Sequence, residues 1–135
     1  MVESHTDVLL VEDQPDDADL LIHALRDFRP DMAVVVARDG LEALHHLLGD
    51  GEGRVTIPRL VVLDLRLPVL GGFEVLRSMR SDDRTARIPV IVLSGSCSPE
   101  DVGASRSYGA KACLRKPRTS REMRSVASSL VSALR

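Results

Sequence analysis

Five short apolar runs alternate along the chain with segments whose apolar residues recur every three or four positions. Four of the runs are continuous, and they are Val8–Val11, Ala33–Ala37, Leu60–Leu63 and Val90–Leu93. Continuous apolar runs are typical of strands buried on both faces of a parallel sheet. The fifth run, Ala110–Leu114, alternates in polarity and therefore predicts an edge strand.

Four of the intervening segments carry an apolar stripe at helical spacing. The stripes consist of Ala18, Leu21, Ile22, Leu25 and Phe28; of Leu41, Leu44, Leu47 and Leu48; of Phe73, Leu76 and Met79; and of Met123, Val126, Ala127, Leu130, Val131 and Leu134. Thr119 and Glu122 form a capping-box pattern at the start of the last stripe. Ser98 and Pro99 predict the start of another helix, which is weak because it contains Gly103 and few apolar residues.

This order of strand and helix, repeated five times, predicts an α/β fold. We expect a doubly wound, five-stranded parallel sheet with five helices and right-handed crossovers. A length of 135 residues suffices for one hydrophobic core but not for two, so we expect a single domain over residues 1–135 and no output domain. The glycine-rich segment 49–59 predicts an exposed loop before the third strand.

Composition and charge exclude several classes of function. The net charge of −2 shows no excess of positive charge of the kind that binds nucleic acid. An aromatic content of 2% argues against a surface on which bases could stack. The apolar runs are far too short to cross a membrane, and the first residues lack the apolar stretch of a signal peptide. We therefore expect a cytoplasmic protein without a membrane or nucleic-acid partner. Cys97 and Cys113 show neither CxxC nor metal-ligand spacing and are interpreted as two reduced thiols.

Residues with reactive side chains follow four of the predicted strands. Glu12 and Asp13 follow the first strand, Asp64 the third, Ser94 the fourth and Lys116 the fifth. Each of them alone also fits an ordinary role in a turn, a loop or a helix cap. Ligands of such sheets bind beyond the carboxyl ends of the strands, however, so we expect these side chains to converge at one edge.

Three neighbouring carboxylates repel one another and need a cation in order to coexist. Carboxylate oxygens suit Mg²⁺, and the histidine and cysteine ligands of a zinc site are missing from these positions. A metal ion, a carboxylate, a lysine and a hydroxyl together are what phosphoryl transfer requires. Asp64 is the best candidate for the nucleophile because the third strand is expected at the centre of the sheet, and its attack on phosphorus yields an acyl phosphate.

The chain resembles the receiver domain of response regulators, the phosphoacceptors of two-component signalling. The stretches that carry the resemblance are LLVED (9–13), VVLDLRLP (61–68), Gly72, VIVLSG (90–95) and LRKP (114–117). The resemblance implies a flavodoxin-like fold and a histidine kinase as partner, which acts as phosphodonor, as phosphatase or as both. It also implies a protein that catalyses its own phosphoryl acceptance and slow phosphate loss rather than the turnover of a separate substrate.

The resemblance also implies a role for each residue of the site. Asp64 is implied as the phosphoacceptor, Ser94 as the switch hydroxyl and Lys116 as the phosphate-binding lysine. Mg²⁺ is implied to bind Glu12, Asp13, Asp64 and the backbone carbonyl of Arg66. The peptide bond between Lys116 and Pro117 is usually cis in this family.

Three features of the chain resemble those of one subgroup of the family. This subgroup comprises the stand-alone regulators of bacterial and cyanobacterial phytochrome histidine kinases. The three features are the long 49–59 segment, the opening VEDQPDDADLL and the expected lack of an output domain. We expect the signal to leave this chain through the surface built by the fourth helix, fifth strand and fifth helix. A homodimer through that surface, a phosphotransfer protein and a separate effector all remain possible partners.

One departure and two alternatives accompany this interpretation. Most receivers have an aromatic residue three positions before the lysine, where this chain has Cys113, which we interpret as a small packed residue. A phosphatase of the haloacid dehalogenase type would need an acid at position 66, which is Arg66. A flavodoxin-like carrier of flavin mononucleotide would need a hydroxyl-rich loop after the first strand, where Glu12–Asp17 is mainly acidic.

Overall fold

The computed structural model describes residues 5–49 and 55–134, and strands and helices alternate in them five times. The strands are β1 (Val8–Val11), β2 (Val34–Ala37), β3 (Leu60–Asp64), β4 (Val90–Ser94) and β5 (Ala112–Arg115). The helices are α1 (Pro15–Phe28), α2 (Gly40–Leu48), α3 (Gly72–Ser81), α4 (Pro99–Ser107) and α5 (Ser120–Ala133).

The strands form one parallel sheet in the order β2-β1-β3-β4-β5. This confirms the predicted doubly wound α/β fold, with β3 at the centre and β5 at an edge. Val11 pairs with Leu63, Asp64 with Leu93, and Ser94 with Arg115, so the carboxyl ends of β1, β3, β4 and β5 follow one another along one edge. The reactive residues of the sequence are therefore neighbours in space.

Helices cover both faces of the sheet, and each face has its own apolar cluster. On one face α1 and α5 pack against alternate strand residues, and the buried members include Leu10, Leu21, Leu25, Leu60, Val62 and Leu130. On the other face α2 and α3 pack against the intervening strand residues, and the buried members include Leu9, Leu47, Leu63, Val75, Leu76 and Met79. Because successive strand residues point to opposite faces, two covered faces explain why the strands are continuous apolar runs.

The second strand corrects one expectation. The run Ala33–Ala37 was predicted to be as buried as the others, but Val34, Val35 and Val36 are only half-buried, and only Ala37 is buried. The strand lies at an edge of the sheet and pairs only with β1. Its alternate side chains still pack on both clusters, which is why its apolar pattern is similar to that of a central strand.

The predicted stripes identify the helices but not every buried residue. Phe28 and Leu41 are 43% and 46% exposed, while Ala24 and Ala43, which lie outside the stripes, are buried. Small residues at these positions allow the helix axis to lie close to the sheet. The weak fourth helix is confirmed, because the single buried residue within Pro99–Ser107 is Ser105.

The predicted helix starts are confirmed with one difference. The hydroxyls of Ser98 and Thr119 accept hydrogen bonds from the backbone N–H groups of Asp101 and Glu122, respectively. The carboxylate of Glu122 accepts from the N–H of Arg118 at 2.8 Å, so the reciprocal bond of the capping box is displaced by one residue.

The loop predicted at 49–59 lies partly outside the described residues, which resume at Val55. From 55 to 59 the chain has neither helix nor strand, and Val55 and Ile57 are exposed. Among the residues that the structure describes, no helix combines the length and the apolar character needed to cross a bilayer.

Asp7 joins three strands at the amino-terminal edge of the sheet. Its carboxylate is 4% exposed, accepts from the N–H of Ala33 at 2.9 Å and lies 2.8 Å from Nε2 of His5. Its backbone carbonyl accepts from the N–H groups of Arg59 and Leu60. Burial alone would raise the pKa of Asp7, but the bonds from Ala33 and His5 together hold it below its ordinary value of 3.8.

We expect Asp7→Ala to lower the free energy of unfolding by about 1–3 kcal/mol, because the N–H of Ala33 is left without its acceptor. A carboxyl with a lowered pKa stabilises the fold above its unfolded pKa, and this contribution disappears as the pH falls through the folded pKa. The variant should therefore lose less stability than the wild type when the pH is lowered from about 5 to 2. Urea unfolding at both pH values measures the difference, and equal acid sensitivity of the two proteins would contradict it.

Candidate active site

Glu12 and Asp13 lie directly beyond β1. Glu12 is 4% exposed and Asp13 is half-buried. One carboxylate oxygen of Glu12 accepts from the N–H of Gln14 at 3.2 Å, and the other lies 3.0 Å from Nζ of Lys116. The turn into α1 thus holds Glu12 in place, while Asp13 is nearer to solvent.

Asp64 is the last residue of β3 and is 4% exposed. Its Oδ1 accepts from the N–H of Arg66 at 3.0 Å, and its Oδ2 accepts from Nζ of Lys116 at 2.8 Å. The return of the chain behind Asp64 depends on Gly72, because a Cβ there would lie 2.6 Å from the carbonyl oxygen of Asp64. The central strand and a glycine-dependent turn therefore fix the position of this carboxylate.

Lys116 connects the two buried acids. Its N–H donates to the carbonyl of Ser94 at 2.9 Å, which holds the end of β5 against β4 and places the ammonium between Glu12 and Asp64. Burial would lower the pKa of Lys116, but the two carboxylates outweigh it and hold the pKa above its ordinary value. The lysine is therefore a positive charge at neutral pH.

The acids outnumber the lysine in this site. Carboxylate oxygens of Glu12, Asp13 and Asp64 lie within 4.8 Å of one another. Burial, and to a smaller extent the charge of Asp64, raises the pKa of Glu12, although Lys116 acts in the opposite direction. Three oxygen-donor groups with one compensating cation form a donor set that suits a divalent ion such as Mg²⁺ or Mn²⁺.

The structure places Ser94 at the end of β4, but its hydroxyl bonds a residue that the sequence analysis did not identify. The Ser94 hydroxyl donates to Oδ2 of Asp101 in α4 at 2.8 Å and accepts from the N–H of Cys97 at 3.0 Å. The hydroxyl of Ser96 also donates to Asp101, at 3.2 Å. The only sequence signal for Asp101 is its position as an acid in the first turn of a helix, which is too common to indicate a site.

An open pocket gives access to the site. Its lining consists of Asp13, Gln14, Asp64, Arg66, Gly95, Ser96, Arg115, Lys116 and Arg118. Asp64 and Lys116 lie in this pocket, and Arg66, Arg115 and Arg118 add positive charge around it. Arg115 and Arg118 belong to a basic run whose sequence indicates only a solvated or partner-facing helix start, so their place in this pocket is visible only in the structure. The positive charge of the lining suits an anion that approaches Asp64.

One expectation for this region is wrong. The structure contains no cis peptide bond in its described residues, so the bond between Lys116 and Pro117 is trans. The expectation depended on the family resemblance alone. The trans form of a bond before proline is the more stable one by about 0.5–1 kcal/mol unless the surroundings favour cis, and the local sequence does not decide this.

Comparison with known proteins agrees with this geometry. The family model for the response regulator receiver domain matches residues 8–128. The probable methanogenesis regulatory protein FilR2 of Methanothrix harundinacea is 40% identical over 82% of this chain and 71% of its own length. The response regulator Rcp1 of Synechocystis is 36% identical over 86% of this chain and 80% of its own length.

Solved structures show the same likeness. The Mn²⁺-bound form of Rcp1 matches with a TM-score of 0.84 and 32% identity, covering 94% of this chain and 92% of that one. The phosphorylated cyanobacterial phytochrome response regulator RcpA has the same TM-score and identity, covering 94% and 91%. The structural agreement therefore extends over nearly the whole length of this chain and of each of the two solved proteins.

Proposed function

The chain belongs to the response regulator receiver domain family, and on that basis we propose that it accepts a phosphoryl group from a histidine kinase onto Asp64, with Mg²⁺ as cofactor. One observation carries this proposal. The Asp64 carboxylate lies at the end of the central strand, bonded by Lys116 at 2.8 Å and by the N–H of Arg66 at 3.0 Å, beside Glu12 and Asp13.

The proposed step forms one bond and breaks one. A carboxylate oxygen of Asp64 attacks phosphorus, the P–N bond of a phosphohistidine breaks, and the imidazole leaves with its electron pair and takes up a proton. Lys116 neutralises charge on the transferred oxygens, as do the arginines that line the pocket. When bound by Glu12, Asp13, Asp64 and the carbonyl of Arg66, Mg²⁺ supplies further compensation of the phosphoryl charge.

Ser94 links the transfer to the signalling surface. Its hydroxyl has one proton, which it donates to Asp101 in this structure. We propose that a phosphoryl oxygen on Asp64 competes for this proton, so that Ser94 releases Asp101 and with it the first turn of α4. Because Ser105 is the only buried residue of this helix, little other packing holds α4 in place.

The proposed kinase is of the phytochrome type. RcpA is a phytochrome response regulator, and its structure matches this chain over 94% of the length. The opening VEDQPDDADLL and the long segment before β3 are features of this chain that agree with that subgroup. The phosphorylated state of RcpA is a property of that protein and is proposed, by likeness, for this one.

Incubation with acetyl phosphate and Mg²⁺ should add one phosphoryl group to the chain. A chelator should remove nearly all of this adduct, because three carboxylates without a divalent ion repel the incoming anion. Intact mass measures the adduct, and loss of the added mass in hydroxylamine identifies an acyl phosphate.

The same experiment with an autophosphorylated phytochrome kinase and an unrelated histidine kinase tests the partner. A chain that stays unmodified with all three donors would contradict the proposal.

A further inference from the structure

Tertiary structure brings the two cysteines together. Cys97 lies in the turn after β4, Cys113 lies within β5, and both are half-buried free thiols. Their Sγ atoms are 3.8 Å apart, and Sγ of Cys97 also lies 3.5 Å from the carbonyl oxygen of Cys113. Two sulfur atoms at this distance are in van der Waals contact, and a disulfide requires a further approach to about 2.05 Å.

The positions of the two residues favour that approach. Cys97 belongs to a turn rather than to a strand or helix, so a rotation of its side chain does not break a sheet hydrogen bond. Its φ is 51°, in the left-handed region that residues other than glycine seldom adopt. With this backbone conformation the sulfur of Cys97 contacts β5, where Cys113 pairs with Val92 of β4.

We propose that Cys97 and Cys113 are a redox pair that closes to an intramolecular disulfide when the protein meets a hydroperoxide. The sulfur of Cys97 attacks the terminal peroxide oxygen, the O–O bond breaks, and Cys97 becomes a sulfenic acid with release of water or an alcohol. The sulfur of Cys113 then attacks that of Cys97, the S–O bond breaks, and a water molecule leaves. Two thiols are oxidised by two electrons, and the peroxide is reduced.

The order of the two attacks follows from the surroundings. Burial raises the pKa of Cys113 to about 11, so this residue stays a neutral thiol at physiological pH. The thiolate is the species that reacts with peroxides, and a group kept protonated reacts slowly with them. Cys97, in the turn, is thus the residue that is oxidised first. Cys113 closes the bond afterwards because its sulfur is held 3.8 Å from that of Cys97, and its proton leaves with the sulfenic oxygen as water.

The disulfide would restrict the signalling surface, an inference that rests on the proposed function. The N–H of Cys97 donates to the hydroxyl oxygen of Ser94 at 3.0 Å, so fixing Cys97 holds Ser94 in the position in which it bonds Asp101. The new covalent ring would also enclose the whole of α4, which otherwise buries only Ser105. Oxidation should therefore oppose the movement of Ser94 toward a phosphoryl group and make α4 more rigid.

The disulfide itself can be tested without phosphorylation. The reduced chain is treated with a small excess of hydrogen peroxide, quenched with iodoacetamide and digested with trypsin without reduction. Trypsin cuts after Arg106 and Lys111, so the two cysteines fall on separate peptides. A linked pair of peptides is expected, and its ratio to over-oxidised Cys97 should be at least about tenfold higher in the folded chain than in guanidinium, because the fold holds the sulfurs in contact for the second step. Equal ratios, or a sulfinic acid at Cys97 beside an alkylated Cys113, would overturn the proposal.

The consequence for α4 needs a second measurement with a matched control. Amide hydrogen exchange in Pro99–Ser107 should slow by about tenfold on oxidation of the wild type, and it should not change in the doubly substituted Cys97→Ser, Cys113→Ser chain after the same treatment. Phosphoryl acceptance from acetyl phosphate should fall in parallel. If the reduced chain accepts no phosphoryl group, the proposed function fails while the exchange data still test the pair. A disulfide that changes neither exchange nor acceptance would overturn the link to the switch.

Discussion

Asp64→Asn should abolish the phosphoryl adduct. We expect the extent of modification by acetyl phosphate and Mg²⁺ to fall by at least about 10²-fold, because a neutral amide is a far weaker nucleophile than a carboxylate and cannot form an acyl phosphate. The asparagine oxygen still accepts from the N–H of Arg66, and Lys116 keeps its contact with Glu12 at 3.0 Å. The substitution therefore removes the nucleophile while preserving these neighbouring hydrogen bonds and ion pairs. Intact mass after a fixed incubation measures the effect.

Thermal unfolding separates this loss from a loss of structure. Without Mg²⁺ the variant should melt at the wild-type temperature or above it, because one of three mutually repelling carboxylates is gone. Asp13→Asn is the matched control, since Asp13 is an acid of the same cluster that has no proposed covalent role. It should weaken Mg²⁺ binding but still give the adduct at high Mg²⁺. An adduct of equal size in Asp64→Asn would place the acceptor elsewhere.

Lys116→Met should slow phosphoryl acceptance by roughly 10²- to 10³-fold, the range found when one electrostatic group is removed from a transition state. The same change should strengthen Mg²⁺ binding, because the ammonium that now occupies the oxygens of Glu12 and Asp64 no longer competes with the metal. These opposite effects distinguish a phosphate-binding lysine from one that only supports the metal site. Phosphorylation time courses and calorimetric Mg²⁺ titrations measure them.

The chain offers a close control and a pH test for this prediction. Its only other lysine is Lys111, which is exposed before β5, and Lys111→Met should leave both quantities unchanged.

The pKa of Glu12 is already raised above its ordinary value of 4.5, chiefly by burial, and removal of Lys116 raises it further. A carboxyl with a raised pKa stabilises the fold below its unfolded pKa and ceases to do so as the pH rises through the folded pKa. Metal-free Lys116→Met should therefore lose more stability than the wild type between pH 4.5 and neutrality, and identical behaviour of the two lysine variants would contradict the assignment.

The sequence predicted the strands and helices well because a sheet that is covered by helices on both faces produces a clear hydrophobic pattern. Each central strand is a continuous apolar run, and each is in the sheet within a residue of its predicted bounds. The edge position of β2 was missed for a physical reason. An edge strand lacks a partner in the hydrogen-bonding direction, whereas the apolar pattern reports only the two faces, and both faces of β2 pack on apolar clusters.

The candidate site was predictable for a related reason. In a parallel sheet the carboxyl ends of the strands share one edge, so residues that follow different strands must be neighbours. The structure brings Glu12, Asp13, Asp64 and Lys116 together as expected. The direction of the Ser94 hydroxyl was not predictable, because Asp101 comes from a helix whose orientation depends on the intervening turn.

The sequence by itself determined the strand–helix alternation, the central position of Asp64 and the acids and lysine that surround it. These features depend on side-chain periodicity and on the rule that parallel strands end together. Only the tertiary structure decided that Ser94 bonds Asp101, that Arg115 and Arg118 line the pocket and that Cys97 touches Cys113. Such contacts depend on the backbone angles of single turn residues, as at Cys97 with φ 51°, and on strand register. A turn angle directs the whole chain that follows it, and residues far apart in sequence leave no periodic signal of the contact that results.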